Sequence, residues 1–81
     1  MGISDLAGSD IQVGIRQTMR SLNKNKVKQV YYAGDADRQV IAPVLELCRE
    51  NGVPAEKAET MAELGRAAGI DVGTAVIALL K

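Results

Sequence analysis

Histidine, phenylalanine and tryptophan are absent from this sequence, and cysteine occurs once. Without histidine, the chain lacks the side chain used most often for acid–base catalysis and for metal binding. The single Cys48 cannot form an internal disulfide, and no apolar run reaches the roughly 18 residues that a membrane-spanning helix requires. The first ten residues, MGISDLAGSD, lack the basic and apolar regions of a secretory signal. We therefore expect a cytoplasmic protein with no metal and no cofactor.

Phosphate-binding and catalytic motifs are missing as well. The sequence has neither a G-x-G-x-x-G string nor a P-loop. Asp35 and Asp37 could form a metal or catalytic pair, but a solvated turn that caps a helix explains them better. Cys48 lies among apolar residues at helical spacing, which favours a buried core thiol over a nucleophile. The protein is therefore not expected to be an enzyme.

A net charge is also lacking, because ten Lys and Arg balance ten Asp and Glu. The balance is uneven along the chain. The stretch GIRQTMRSLNKNKVK, residues 14–28, carries five basic side chains and no acidic one, so the rest of the chain holds five basic residues and all ten acidic ones. This asymmetry predicts one positive surface on an otherwise acidic protein.

Length and periodicity indicate one small α/β domain over residues 1–81. At 81 residues with 47% hydrophobic content and two aromatic side chains, the core must be aliphatic. Helical spacing or capping signals occur in GIRQTMRSL, PVLELCREN and TMAELGRAA, whereas VKQVYYA, AEKA and TAVIALL have strand character. Alternation of strands with short helices predicts helices on both faces of a small sheet.

Several local signals set the expected boundaries of these elements. Pro43 suits the first turn of the second helix, and Gly52 suits its end. Thr60 followed by Glu63 is a capping box for the third helix, which Gly69 would close. The side chains expected to face the core from the second helix are Val44, Leu45, Leu47 and Cys48.

The first helix is amphipathic, with a basic edge beside its apolar stripe. Apolar Ile15, Met19 and Leu22 follow helical spacing, and a second row at helical spacing consists of Arg16, Arg20 and Lys24. A helix start offers unpaired amides to phosphate, and Gly14 would allow another backbone to approach. Gln17 can pair with a base edge, and arginine binds phosphate or guanine. A solvated helix with an ordinary start explains the same spacing equally well.

Four segments, in this order, resemble a known family of RNA-binding proteins: GIRQTMRSL, VKQVYYAGDAD, PVLELCRENGVP and LGRAAGIDVGTAVIAL. They are similar to the kink-turn-binding ribosomal proteins of the L-seven-Ae and L-thirty-e type, over roughly residues 12–80, and most of all to the short bacterial branch. The resemblance implies a three-layer α/β/α sandwich around a mixed sheet of about four strands.

The resemblance also implies which residues contact RNA. Gly14, Arg16, Gln17 and Arg20 would lie in the major groove against the sheared G·A pairs of the kink. The loop residues Ile70, Asp71 and Val72 would cover the unpaired bases, although the two apolar side chains could instead fold onto the protein core. Archaeal members have asparagine and glutamate where this chain has Arg16 and Gln17, so the base contacts must differ.

The function expected from sequence is non-catalytic binding and stabilisation of kink-turn RNA. The RNA would be ribosomal RNA or a riboswitch, with the ribosome as a possible assembly, no membrane partner, and a monomeric state. The scarcity of aromatic residues disfavours a base-stacking sheet of the kind that binds single strands. A protein–protein adaptor with the same fold and little RNA affinity is the alternative.

Overall fold

The computed structural model describes Leu6 and residues 10–81. Four strands and three helices alternate along this part of the chain. In order, they are β1 (Ile11–Val13), α1 (Ile15–Asn23), β2 (Val27–Ala33), α2 (Arg38–Asn51), β3 (Ala55–Ala58), α3 (Met61–Ala67) and β4 (Val76–Leu80).

The four strands form one mixed sheet in the order β1-β4-β2-β3. The last strand, β4, is central and runs antiparallel to both β1 and β2, whereas β2 and β3 are parallel. Its central position agrees with the near-continuous apolar run TAVIALL, residues 74–80, from which this strand was predicted. The parallel pair is joined by α2, which is the usual way to connect parallel neighbours.

Both faces of the sheet are covered, so the predicted three-layer α/β/α sandwich is confirmed. Side chains alternate between the two faces along each strand. On one face, residues of α1 and α2 pack with the sheet in a cluster of Leu22, Val27, Val30, Val44, Cys48, Val76 and Ala78. On the other face, α3 contributes to a cluster of Leu6, Tyr31, Ala33, Ala58, Leu64, Ile77 and Leu79.

The predicted starts of two elements were wrong. Helix α2 begins at Arg38, not at Pro43, because Asp37 caps it by accepting the amide of Gln39 at 2.9 Å. Pro43 therefore lies inside the helix, where it is exposed and cannot donate the backbone hydrogen bond of that position. The earlier start also buries Ile41, a core residue that the prediction omitted, while Leu45 is only half-buried.

Strand β4 begins at Val76, two residues later than the predicted run from Thr74. Strand β1, only three residues long, had no distinct sequence signal of its own. Its place is set by pairing with β4, where Ile11 faces Leu79 and Val13 faces Ile77.

The predicted helix caps are confirmed. Gly52 ends α2 in the left-handed conformation with φ 67°, and the Thr60 hydroxyl oxygen accepts the amide of Glu63 at 3.0 Å. Gly69, with φ 80°, follows α3, and the next amide, that of Ile70, donates to the Gly65 carbonyl at 3.0 Å. These bonds satisfy backbone groups that helix ends otherwise leave unpaired.

The described residues contain neither a membrane-spanning helix nor a cluster of metal ligands. No helix in this part of the chain is long and apolar enough to cross a membrane. Within residues 10–81 and Leu6, the structure contains no cluster of three or more acidic or cysteine side chains that could hold a metal ion.

Thr18 in α1 gives a stability prediction. Its side chain is fully buried, and its hydroxyl oxygen has no hydrogen-bond partner among the described residues. An unpaired buried hydroxyl costs about 1–3 kcal/mol, and valine keeps the side-chain shape without the polar atom. We expect Thr18→Val to raise the melting temperature by about 4–8 °C, corresponding to about 1 kcal/mol in a domain of this size. Thr18→Ser, which keeps the hydroxyl and loses the methyl group, should lower it. A lower melting temperature for the valine variant would contradict the assignment of an unpaired hydroxyl.

Candidate nucleic-acid interface

One end of the sheet brings together the two segments that the sequence analysis assigned to RNA binding. Because β1 and β4 are antiparallel, the start of α1 lies beside the start of β4. The Gly14 amide donates to the Val76 carbonyl at 3.0 Å, and the Thr74 hydroxyl donates to the same oxygen at 3.1 Å. We call this end, comprising the start of α1 and the segment 70–74, the loop end. The helix start and the loop are thus held to one backbone oxygen.

The start of α1 is open to an anion. Gly14 is the N-cap, no side chain accepts a hydrogen bond from the first-turn amides, and the first turn contains no acidic residue. The Thr18 amide donates to the Gly14 carbonyl at 3.1 Å and makes the first hydrogen bond of the helix. The amides of residues 15–17 are therefore the free donors of the helix start. Together with the positive end of the helix dipole, these amides favour phosphate.

Gly14 is required by backbone geometry, not by crowding within the protein. Its φ of 104° belongs to the region that side chains rarely adopt, and a Cβ built there has no neighbour within 4 Å. The space over the helix start is therefore open to an incoming backbone.

The predicted basic edge is exposed along the whole of α1. Arg16, Gln17 and Arg20 are exposed, while Thr18 and Leu22 on the inner side are fully buried. Arg16 and Arg20 are one turn apart on the same side of the helix. Lys24 is the C-cap residue. It lies about 13 Å from the helix start, at 1.5 Å for each residue, and so does not belong to the loop end.

The loop presents one of its two apolar side chains to solvent. Val72 is 70% exposed, Asp71 is also exposed, and Ile70 is half-buried. Val72 therefore does not fold onto the core, which was the alternative left open by the sequence. A shallow cavity of about 300 Å³ adjoins this loop and is lined by Ala62, Arg66, Ile70, Asp71, Val72 and Gly73.

The loop is held against α3 by backbone contacts. The Thr74 amide donates to the Met61 carbonyl at 3.1 Å. A Cβ built on Gly65 would lie 2.0 Å from the Val72 carbonyl oxygen, and one on Gly73 would lie 3.1–3.2 Å from atoms of Met61. Only glycine at position 65 permits this approach, so Gly65 is a positioning residue that the sequence analysis did not single out. Its sequence signal is its place in the string LGRAAGIDVG, which belongs to the family resemblance.

The acidic residues considered as a metal or catalytic pair have structural roles. Asp37 caps α2, and the Asp35 carboxylate accepts the Met61 amide at 2.8 Å, which ties the β2–α2 turn to the start of α3. Burial raises the pKa of the Cys48 thiol, which keeps it protonated and unreactive. Both observations agree with the structural roles that the sequence favoured.

Gly65→Ala is expected to displace the loop and destabilise the fold. The new methyl group cannot share its place with the Val72 carbonyl, and overpacking of this kind costs about 1–3 kcal/mol. We expect a melting temperature lower by roughly 5–15 °C and faster hydrogen exchange at the Thr74 amide. The Val30 amide, bonded to the Pro54 carbonyl at 3.0 Å in another part of the fold, serves as an internal control. Unchanged exchange at Thr74 would show that the loop does not depend on Gly65.

Comparison with known proteins places these features in a family. The sequence model of the Ribosomal protein L7Ae/L30e/S12e/Gadd45 family matches residues 6–81. An RNA-binding protein of Caldanaerobacter subterraneus subsp. tengcongensis is 46% identical over 66 residues, covering 82% of this chain and 80% of that protein. The RNA-binding protein YbxF of Geobacillus stearothermophilus is 37% identical over 76 residues, covering 94% and 93% of the two chains.

Solved structures show the same architecture. A protein of unknown function from Bacillus halodurans superposes with a TM-score of 0.88 at 22% identity, covering 98% of this chain and 83% of that one. A Giardia lamblia 15.5 kD RNA-binding protein superposes with a TM-score of 0.84 at 28% identity, covering 98% of this chain and 65% of that one. The matches in sequence and fold show that this chain is not an enzyme and belongs to the Ribosomal protein L7Ae/L30e/S12e/Gadd45 family.

Proposed function

We propose that this protein binds RNA and that its specific target is a kink-turn, whose bent form it stabilises. The observation that carries the proposal is the shared Val76 carbonyl, which fixes the start of α1 and the loop before β4 at one end of the sheet. A phosphate-accepting helix start and an exposed apolar side chain are thereby presented together. Relatives that are named RNA-binding proteins support RNA as the partner.

A kinked RNA suits this surface better than a regular duplex does. The major groove of A-form RNA is deep and narrow and excludes a helix, whereas a kink opens it. The open start of α1 would then enter the groove, with Arg16 and Gln17 against base edges and Arg20 and Lys24 toward phosphates. Bases that leave the stack at the kink would need an apolar cover beside that groove.

The loop provides such a cover. Val72 is exposed on a backbone that α3 holds in place, so little conformational entropy would be lost when a base packs on it. Asp71 would accept from the exocyclic amine of the base, and the half-buried Ile70 would support the loop from below. The eight residues proposed to contact RNA are Gly14, Arg16, Gln17, Arg20, Lys24, Ile70, Asp71 and Val72.

The cellular setting is part of the proposal. The target would be a kink-turn in ribosomal RNA or in a riboswitch, bound by a monomer in the cytoplasm, with the ribosome as one possible site of action. The absence of a single-strand stacking surface is consistent with a structured target, because the chain has only two aromatic side chains, and one of them, Tyr31, is buried.

Stabilisation of the bend can be measured on an isolated RNA. In low magnesium, a kink-turn labelled at both ends should show rising fluorescence energy transfer as protein is added, since a ligand shifts a conformational equilibrium by its differential affinity. A shift from mostly extended to mostly bent requires roughly 10⁴-fold preference for the bent form. Binding without a change in transfer would contradict kink selection, and no binding at micromolar protein would favour the adaptor.

Arg16→Ala should weaken binding to the kinked RNA selectively. A base-edge contact contributes about 1–3 kcal/mol, so we expect affinity for the kink-turn to fall roughly 5- to 150-fold, with little change for an unkinked duplex. Arg49→Ala is the matched control, because it removes the same charge from the last turn of α2, where Arg49 pairs with Glu46. Equal losses on kinked and unkinked RNA would make Arg16 a phosphate contact only.

A further inference from the structure

A second basic surface lies at the end of the sheet opposite the loop end. It consists of Lys24, Lys26 and Lys28, which surround the turn from α1 to β2, together with Lys81; we call it the lysine turn. Lys81 is distant in sequence but joins the others through the sheet. Its amide donates to the Lys26 carbonyl at 2.9 Å, and its ammonium group donates to the Asn25 side chain at 3.3 Å.

The charges of the lysine turn are not neutralised by the described part of the protein. All four lysines are exposed, and the ion pair found among the described residues, Arg49 with Glu46, is elsewhere. Asp10 lies beside the end of β4, where its carbonyl accepts the Leu80 amide, but on the β1 side of that strand, away from β2 and Lys28. None of the four lysines forms an ion pair among the described residues, although the backbone contact of Asp10 with Leu80 brings that residue close to Lys81. The remaining local excess of positive charge favours a polyanionic partner.

The backbone under these lysines is fixed. Asn25 adopts a positive φ of 57°, and the Lys26 amide returns to the Ser21 carbonyl at 3.0 Å, which closes the end of α1. A β-bulge follows, because Val27 pairs with Leu80 and Gln29 with Leu79, leaving Lys28 as the extra residue. Bulges redirect side chains, and here the extra residue is exposed. The lysine turn is therefore ordered, unlike a flexible basic tail.

The basic edge of α1 connects the lysine turn to the loop end. Arg16, Arg20 and Lys24 lead from one to the other over about 12 Å, at 1.5 Å for each residue. Phosphates of a DNA duplex follow one another at about 3.4 Å along the axis of each strand, and those of the more compact A-form RNA duplex are closer, so this distance corresponds to at least about four nucleotides. A stem that leaves the kink along α1 reaches the lysine turn only if it is longer than that.

We propose that the lysine turn binds the phosphates of a duplex stem that continues from the kink, so that tight binding requires a stem of more than about four base pairs on one side. This inference rests on the proposed function and adds a length requirement to it. The contact is with phosphates only, so the sequence of the stem is immaterial.

The test compares kink-turn RNAs whose two stems are shortened in turn from ten to three base pairs, with the ends closed by stable loops. We expect shortening of one particular stem to weaken binding by on the order of tenfold at low salt, with the difference shrinking as salt rises. The double variant K26A/K28A should bind the long-stem RNA as weakly as the wild type binds the short-stem RNA, with a log–log salt slope about 1.5 shallower.

The charge-matched control is the double variant R49A/K57A, which removes two exposed cations outside both surfaces and should retain the dependence on stem length. Tight binding by the wild type regardless of stem length would overturn the inference and leave the proposed function intact. Equal weakening of long-stem and short-stem complexes by K26A/K28A would also overturn it, by placing these lysines at the kink. Failure of the wild type to distinguish any kinked RNA from a duplex would overturn the proposed function and this inference with it.

Discussion

The carbonyl oxygen of Val76 is the point on which the proposed interface depends, because it accepts from both Gly14 and Thr74. A carbonyl has two lone pairs, and the two donors use both. One donor opens the basic helix, and the other follows the apolar loop. The shared acceptor ties the two segments directly to each other, in addition to the bond from the Thr74 amide to the Met61 carbonyl that holds the loop to α3. The proposed recognition of a bent RNA would use a fixed distance between two contacts, and this oxygen helps to set that distance.

Gly65 completes the arrangement from the opposite face of the sheet. Helix α3 lies in the layer opposite α1 and α2, yet it determines where the Val72 backbone passes. The loop is thus an extension of the scaffold, with backbone contacts at Gly65 and Met61. The Val72 backbone can pass this close to α3 only because residue 65 has no side chain. The position of the exposed Val72 side chain therefore depends on a buried residue of α3.

Sequence patterns predicted the elements whose signals are local. Residues 27–33 and 55–58 formed strands with the predicted bounds, and the caps at Gly52 and Thr60 lie where turn and capping chemistry placed them. The proline rule failed at α2 because the Asp37 cap begins the helix five residues earlier and leaves Pro43 inside it. Three features depend instead on contacts between segments that are distant in sequence: strand β1, the Gly65 contact and the position of Lys81. Such contacts produce no periodic pattern in the sequence.

Pairing between β1 and β4 joins the two ends of the described chain. During synthesis, the basic helix leaves the ribosome before most of the other described elements, but the strand that accepts the Gly14 amide is the last of the described strands to emerge. The helix start and the loop therefore reach their final positions only after nearly every other element exists. Such nonlocal closure slows folding relative to a domain held by local contacts, and an incomplete chain without β4 would carry the positive charge of α1 but lack the hydrogen bonds that hold the loop end together.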